Sequence, residues 1–138
     1  LDRHVRAVVW NNEAGSYRNQ VLATRLKPPA PWQIVPAMIR WFDYIDLMCA
    51  LAPTPLLITE GGVINDHILI RKAYAQAGAR QALEIGFMPS MRDPRKHWRG
   101  RLPRGLDPAD YPRYANYADE HYFKADQAGP WLKRMLMG

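Results

Sequence analysis

Among the residues whose types could serve proton transfer between a nucleophile and a leaving group, two stand out by position. They are Asp66, in Thr59-Glu-Gly-Gly-Val-Ile-Asn-Asp66, and His121, in His121-Tyr-Phe123. A histidine whose pKa lies near neutrality can take a proton from a hydroxyl and return it to a departing group. A carboxylate can hold the ring in one tautomer by accepting its other N–H. Asp66 has a competing role, because an aspartate just ahead of a helix caps free backbone N–H groups. Asn65 and Glu60 lie on the same turn and contend for the acid position. His97 is the rival base, although its basic, proline-flanked loop suits an exposed residue, and His4 and His67 read as structural. A hydroxyl to activate is missing. The only serines are Ser16 and Ser90, and neither lies in G-x-S-x-G at a strand-to-helix turn. Cys49, inside Leu47-Met-Cys-Ala-Leu51, reads as a buried structural thiol. Gly61-Gly62 lacks the Gly-Lys-Ser/Thr of a phosphate loop and reads as a tight turn. No residues have metal-ligand spacing, and no cofactor is expected.

The elements that must position these residues follow from local pattern. His4 to Trp10 is β-branched and bounded by Asn11-Asn12, which predicts a strand. Residues 11–33 read as loop, since the prolines of Lys27-Pro-Pro-Ala-Pro31 remove donors and restrict their neighbours. Apolar positions from Pro36 to Leu51 suggest helical pieces, with Asp43 starting the second and Pro53 ending it. Leu56-Leu-Ile58, running into Gly61-Gly62, suits a buried parallel strand, within the span Thr54 to Thr59. Ile70, Ala73, Tyr74 and Ala77 share one helical face, and Gly78 supplies a stop. Ala82 to Met88 is a third strand. A closing helix starts near Ala125, with Ala128, Trp131, Leu132, Met135 and Leu136 on one stripe and Pro130 close to its first turn. The fold class is thus α/β, with about three parallel strands, flanking helices and two long irregular stretches, Asn11 to Pro36 and Pro89 to Glu120. Loops of that length in a compact domain commonly wall a site.

A chain of 138 residues with 48% hydrophobic content has the size and composition of one domain with a core of its own. No apolar run approaches the ~20 residues of a membrane helix, so no membrane partner is expected. The net charge of +6 permits a polyanion, yet the dense run Arg92 to Arg101 lacks any nucleic-acid module and reads as a solvated loop. No nucleic-acid partner is expected.

Phe42 to Gly62, with its Ala52-Pro-Thr-Pro-Leu-Leu-Ile58 phrase, resembles the stretch of α/β-hydrolases that leads into the acid-bearing strand. The likeness is to the acetyl xylan esterase and dienelactone hydrolase-like group. Leu1 to Val9 resembles the strand after that group's nucleophile helix, and His121-Tyr-Phe with Trp131 to Leu136 is similar to its histidine turn and closing helix. The resemblance implies that residues 1–138 form the carboxyl-terminal part of a single α/β-hydrolase domain, with the nucleophile and oxyanion hole lying before Leu1. His121 and Asp66 would be the catalytic base and acid of a serine hydrolase acting on a small-molecule or carbohydrate ester. The chain alone would be inactive, and its oligomeric state stays open. A non-catalytic binding or assembly module of the same fold is the other reading, with Asn65 as a sign of decay. Strands left without neighbours would make the isolated chain poorly soluble.

Overall fold

The computed structural model describes residues 4–12, 15–19, 35–117 and 121–137. Three strands, β1 (Val8–Trp10), β2 (Leu56–Ile58) and β3 (Leu83–Ile85), form one parallel sheet in the order β1-β2-β3. Leu56 pairs with Val8 on one side and with Leu83 on the other. Each strand lies inside its expected span but is shorter, because few residues have a ladder partner. Isolated bonds such as Thr59 N–H to Trp10 O and Gly86 N–H to Ile58 O carry the pairing one residue further.

Alternation along β2 builds the core on both faces of the sheet. Leu56 and Ile58 pack with Ile45, Met48, Ile70 and Tyr74, while Leu57 points to the other side against Ala128 and Trp131. These contacts dock α1 (Tyr44–Ala50) and α2 (Ile64–Gln76) on one face and α3 (Ala125–Met137) on the other. All three β2 side chains are buried, which is why this strand reads as a continuous apolar run rather than an alternating one. Burying each such side chain is worth roughly 1.5–3 kcal/mol, so β2 is the anchor of the domain. Among the described residues β1 pairs with β2 alone and leaves its other side without a strand.

Several local expectations are met and several are corrected. Asp43 caps α1 through Tyr44 N–H, with Asp46 reaching back to the Asp43 N–H. Asp66 is not the cap of α2. The helix begins two residues earlier at Ile64, Val63 is its cap residue, and Asp66 lies inside the first turn with Oδ2 accepting from Val63 N–H at 3.5 Å. Of residues 11–33, expected as loop, 17–19 are helical, and Ser16 Oγ accepts the Asn19 N–H as a helix cap does. Residues 13–14 and 20–34 lie outside the described set. The stretch after β3 is broken into three 3-10 turns, Pro89–Met91, Pro94–Lys96 and Pro108–Arg113, each opening on a proline whose missing donor costs nothing there. Pro130 sits inside α3 rather than in its first turn and removes one intrahelical bond.

Candidate active site

The site is assembled on the carboxyl-end side of the sheet, where open α/β sheets bind ligands. Glu60 follows β2 by two residues and is fully buried. After it, Gly61 and Gly62 take φ of 96° and 78°, a left-handed pair that only glycine adopts without strain and that turns the chain into α2. Asn116 locks this turn. It accepts from Gly61 N–H at 2.5 Å through its backbone carbonyl, donates its own N–H to Gly62 O at 2.8 Å, and uses its side chain to bridge Gly86 O and Met88 N–H beyond β3. The turn and the end of β3 are therefore one unit.

His121 enters from the segment leading into α3. Its Nδ1 stands 2.5 Å from Glu60 Oε1, and its Nε2 lies 3.2 Å from the Tyr117 hydroxyl. The imidazole packs edge-on against Tyr117, with ring centroids 5.0 Å apart, and remains partly open to solvent. A carboxylate acceptor at Nδ1 fixes the tautomer in which Nδ1 carries the proton and leaves Nε2 as the outward lone pair. A buried carboxylate is costly unless paired. Glu60 has the imidazole on one oxygen and the nearly buried Lys124 Nζ at 3.3 Å from the other, close enough for an ion pair although not aligned as a hydrogen bond. Lys124 also covers the Tyr122 ring, 3.4 Å from its centroid. Asn11 Oδ1 accepts from both Thr59 Oγ1 and Lys124 N–H, stapling the histidine segment to the ends of β1 and β2.

The expected pairing of His121 with Asp66 is not made, and Glu60 holds that place. Asp66 is buried and spent on donors of residues 16–19: Oδ2 accepts Ser16 N–H at 3.0 Å, and both oxygens accept from the Asn19 side-chain Nδ2. Burial pushes its pKa up against the pull of those donors. Asp43 does similar work beside it, accepting Tyr17 and Arg18 N–H. The physical reason is reach. Asp66 points from the first turn of α2 toward residues 15–19, whereas Glu60 precedes the glycine turn, directly at the strand end. Asn65 donates to the Arg99 and Gly100 carbonyls and does not touch His121.

The other candidates separate cleanly. His67 is buried, donates Nε2–H to Gly61 O at 2.9 Å and has a pKa lowered to about 4, chiefly by burial. It supports the glycine turn. His97 Nε2 meets Met91 O at 2.8 Å, and His4 is exposed in a turn before β1. Ser16 is a capping residue and Ser90 an exposed residue of a 3-10 turn. The Cys49 thiol is pushed up by burial and by the charge of Asp46, away from thiolate chemistry. Among the described residues no group of three His, Cys, Asp or Glu could hold a metal ion, and no helix is long and apolar enough to cross a membrane. Asn11, Asn116 and Lys124 escaped the sequence reading. An asparagine in a turn and a lysine beside aromatics carry no local mark of being buried.

A model of the Abhydrolase family matches residues 17–134. Among curated proteins none matches the chain. The fold superimposes on the crystal structure of a Bacteroides fragilis NCTC 9343 protein, named as a candidate acetyl xylan esterase, with a TM-score of 0.84 and 30% identity. The match covers 95% of this chain and 36% of that one, so the chain corresponds to little more than a third of that protein's length. Three parallel strands with flanking helices, matching part of an α/β-hydrolase, and a family match over most of the residues lead to one statement: the chain belongs to the Abhydrolase family.

Proposed function

We propose that this chain is the acid-and-base portion of a serine-type carboxylic ester hydrolase, with His121 as general base and Glu60 as the carboxylate that orients it. The observation that carries the reading is the 2.5 Å contact between His121 Nδ1 and the buried Glu60, at the carboxyl ends of parallel strands. Nε2 would take the proton from an incoming serine hydroxyl as its oxygen attacks the ester carbonyl, and would return that proton to the departing alkoxide. The same nitrogen would then activate water to release the acyl group. The 2.5 Å contact favours Glu60 over Asp66 as the acid, and the N–H groups of residues 16 and 63 on Asp66 favour a structural role for it. The nucleophile and oxyanion hole would come from polypeptide outside these residues, since Ser16 caps the helical residues that follow it, Ser90 lies in an exposed 3-10 turn, and neither stands in G-x-S-x-G. The ester class rests on the name of the Bacteroides relative.

The test is hydrolysis of p-nitrophenyl acetate by the intact polypeptide that carries this chain. His121→Ala and Glu60→Gln should each lower kcat by about 10³–10⁴, whereas Asp66→Asn should leave it within about tenfold. A larger loss at Asp66 than at Glu60 would reverse the assignment of the acid. The 138-residue chain by itself should show no turnover above its His121→Ala control. Turnover there would place the nucleophile within it.

A further inference from the structure

A cavity of about 470 Å³ lies beside the first turn of α2, walled by Arg18, Asn65, Arg101 and Arg104 among others. Its arginines come from two separate parts of the chain. Arg18 stands on the helical residues after Ser16, and Arg101 and Arg104 stand on the basic stretch after β3. Asn65 holds that stretch against α2 by donating to the Arg99 and Gly100 carbonyls, each at 3.3 Å. Trp98 stiffens it further, bonding the Arg101 carbonyl through Nε1 and packing edge-on against Tyr114. None of the three guanidinium groups has a carboxylate partner among the described residues, although Asp93, Asp110 and Glu84 hold Arg95, Arg113 and Arg134. The nearby carboxylates of Asp43 and Asp66 are turned onto backbone N–H groups. Three arginines around one hollow repel each other, and an anion relieves that repulsion through charge-assisted, bidentate bonds. The volume is in the range of pockets that take small molecules.

We propose that this cavity is a subsite for a carboxylate-bearing, sugar-sized group of the substrate. This deepens the esterase reading and rests on it for the word substrate. Asn65, on the cavity wall, is five residues past Glu60, which keeps the two within about 18 Å even for a fully extended chain. Because His121 sits on Glu60 and is partly open to solvent, a substrate attacked beside His121 could extend toward the cavity.

Binding tests the subsite without requiring turnover. In isothermal titration of the intact protein, D-glucuronate should bind at least about tenfold more tightly than D-glucose, its neutral counterpart of similar size. An Arg101→Gln, Arg104→Gln double variant should lose that preference while melting at the wild-type temperature, since both side chains are exposed. His121→Ala should bind glucuronate as the wild type does. Equal binding of the two sugars, or a preference that survives in the double variant, would overturn the subsite. A preference that depends on Arg101 and Arg104 in a protein that hydrolyses no ester would leave the subsite standing and remove the esterase reading alone.

Discussion

Protonation of His67 should destabilise the glycine turn that carries Glu60, and the size of the effect follows from where the ring sits. The imidazole is 1% exposed; Nε2–H is committed to Gly61 O, and Nδ1 has no hydrogen-bond partner. A second proton would put a charge and an unpaired donor into the interior. Burial therefore lowers the pKa from 6.5 to about 4, opposed by the Gly61 bond and helped by the charges of Arg71 and His97. The folded chain binds this proton more weakly than the unfolded chain does. Stability is complete above the unfolded value of 6.5 and is lost as pH falls from there toward about 4, where the folded form also protonates. At about 1.4 kcal/mol per pKa unit, the loss approaches about 3 kcal/mol, a large part of the margin of a small domain. Urea denaturation from about pH 7 to about pH 4 measures it, with His67→Gln as the comparison because the glutamine amide can still donate to Gly61 O without titrating. The wild type should lose about 3 kcal/mol more than the variant across that interval. Parallel curves for the two proteins would refute the reasoning, as would a His67 ring proton that titrates near 6.5 by NMR.

Three further outcomes are expected. Burial raises the pKa of Asp66 above 3.8, so the folded chain holds that proton more tightly than the unfolded one, and ionisation costs stability as pH climbs from 3.8 through the raised value. Asp66→Asn should flatten that part of the urea-stability profile. Trp131 is almost fully buried against Leu57 and Ala128, and Trp131→Ala should cost about 3–5 kcal/mol in the same assay by opening a cavity under the sheet. A methyl group at Gly15 would come 3.0 Å from Gly62 Cα and 3.3 Å from its nitrogen, backbone atoms that cannot swing away. Gly15→Ala should therefore cost about 1–3 kcal/mol and speed hydrogen exchange at the Ser16 amide, whose acceptor is Asp66.

The three strands and the three longer helices were legible because they are written in local pattern, whereas the helical residues 17–19 and the 3-10 turns after β3 were not. Leu56-Leu-Ile58 suited a strand buried on both faces, since an apolar run this short between Pro55 and Gly61-Gly62 matches the length of a strand better than that of a helix, and the structure buries all three. The stripe of Ala128 and Trp131 likewise predicted the face by which α3 docks. His121 was selected by its position ahead of that helix, and the structure puts it at the end of β2. Its partner was not legible in the same way. Asp66 and Glu60 are six residues apart on one turn, both acidic, and spacing along the chain cannot say which carboxylate faces a histidine some sixty residues on. That choice is made by the left-handed turn at Gly61 and Gly62, which sends the two side chains in different directions: Glu60 into the interior beneath His121, and Asp66 toward the N–H groups at Ser16. Asn116 and Asn11, which brace the turn and the histidine segment, act through contacts spanning up to 113 positions. Chain order and residue type thus determined the α/β class and singled out His121 as the candidate base. Only tertiary packing decided which acid meets it, because hydrogen bonds reach about 3 Å in space whatever the distance along the chain.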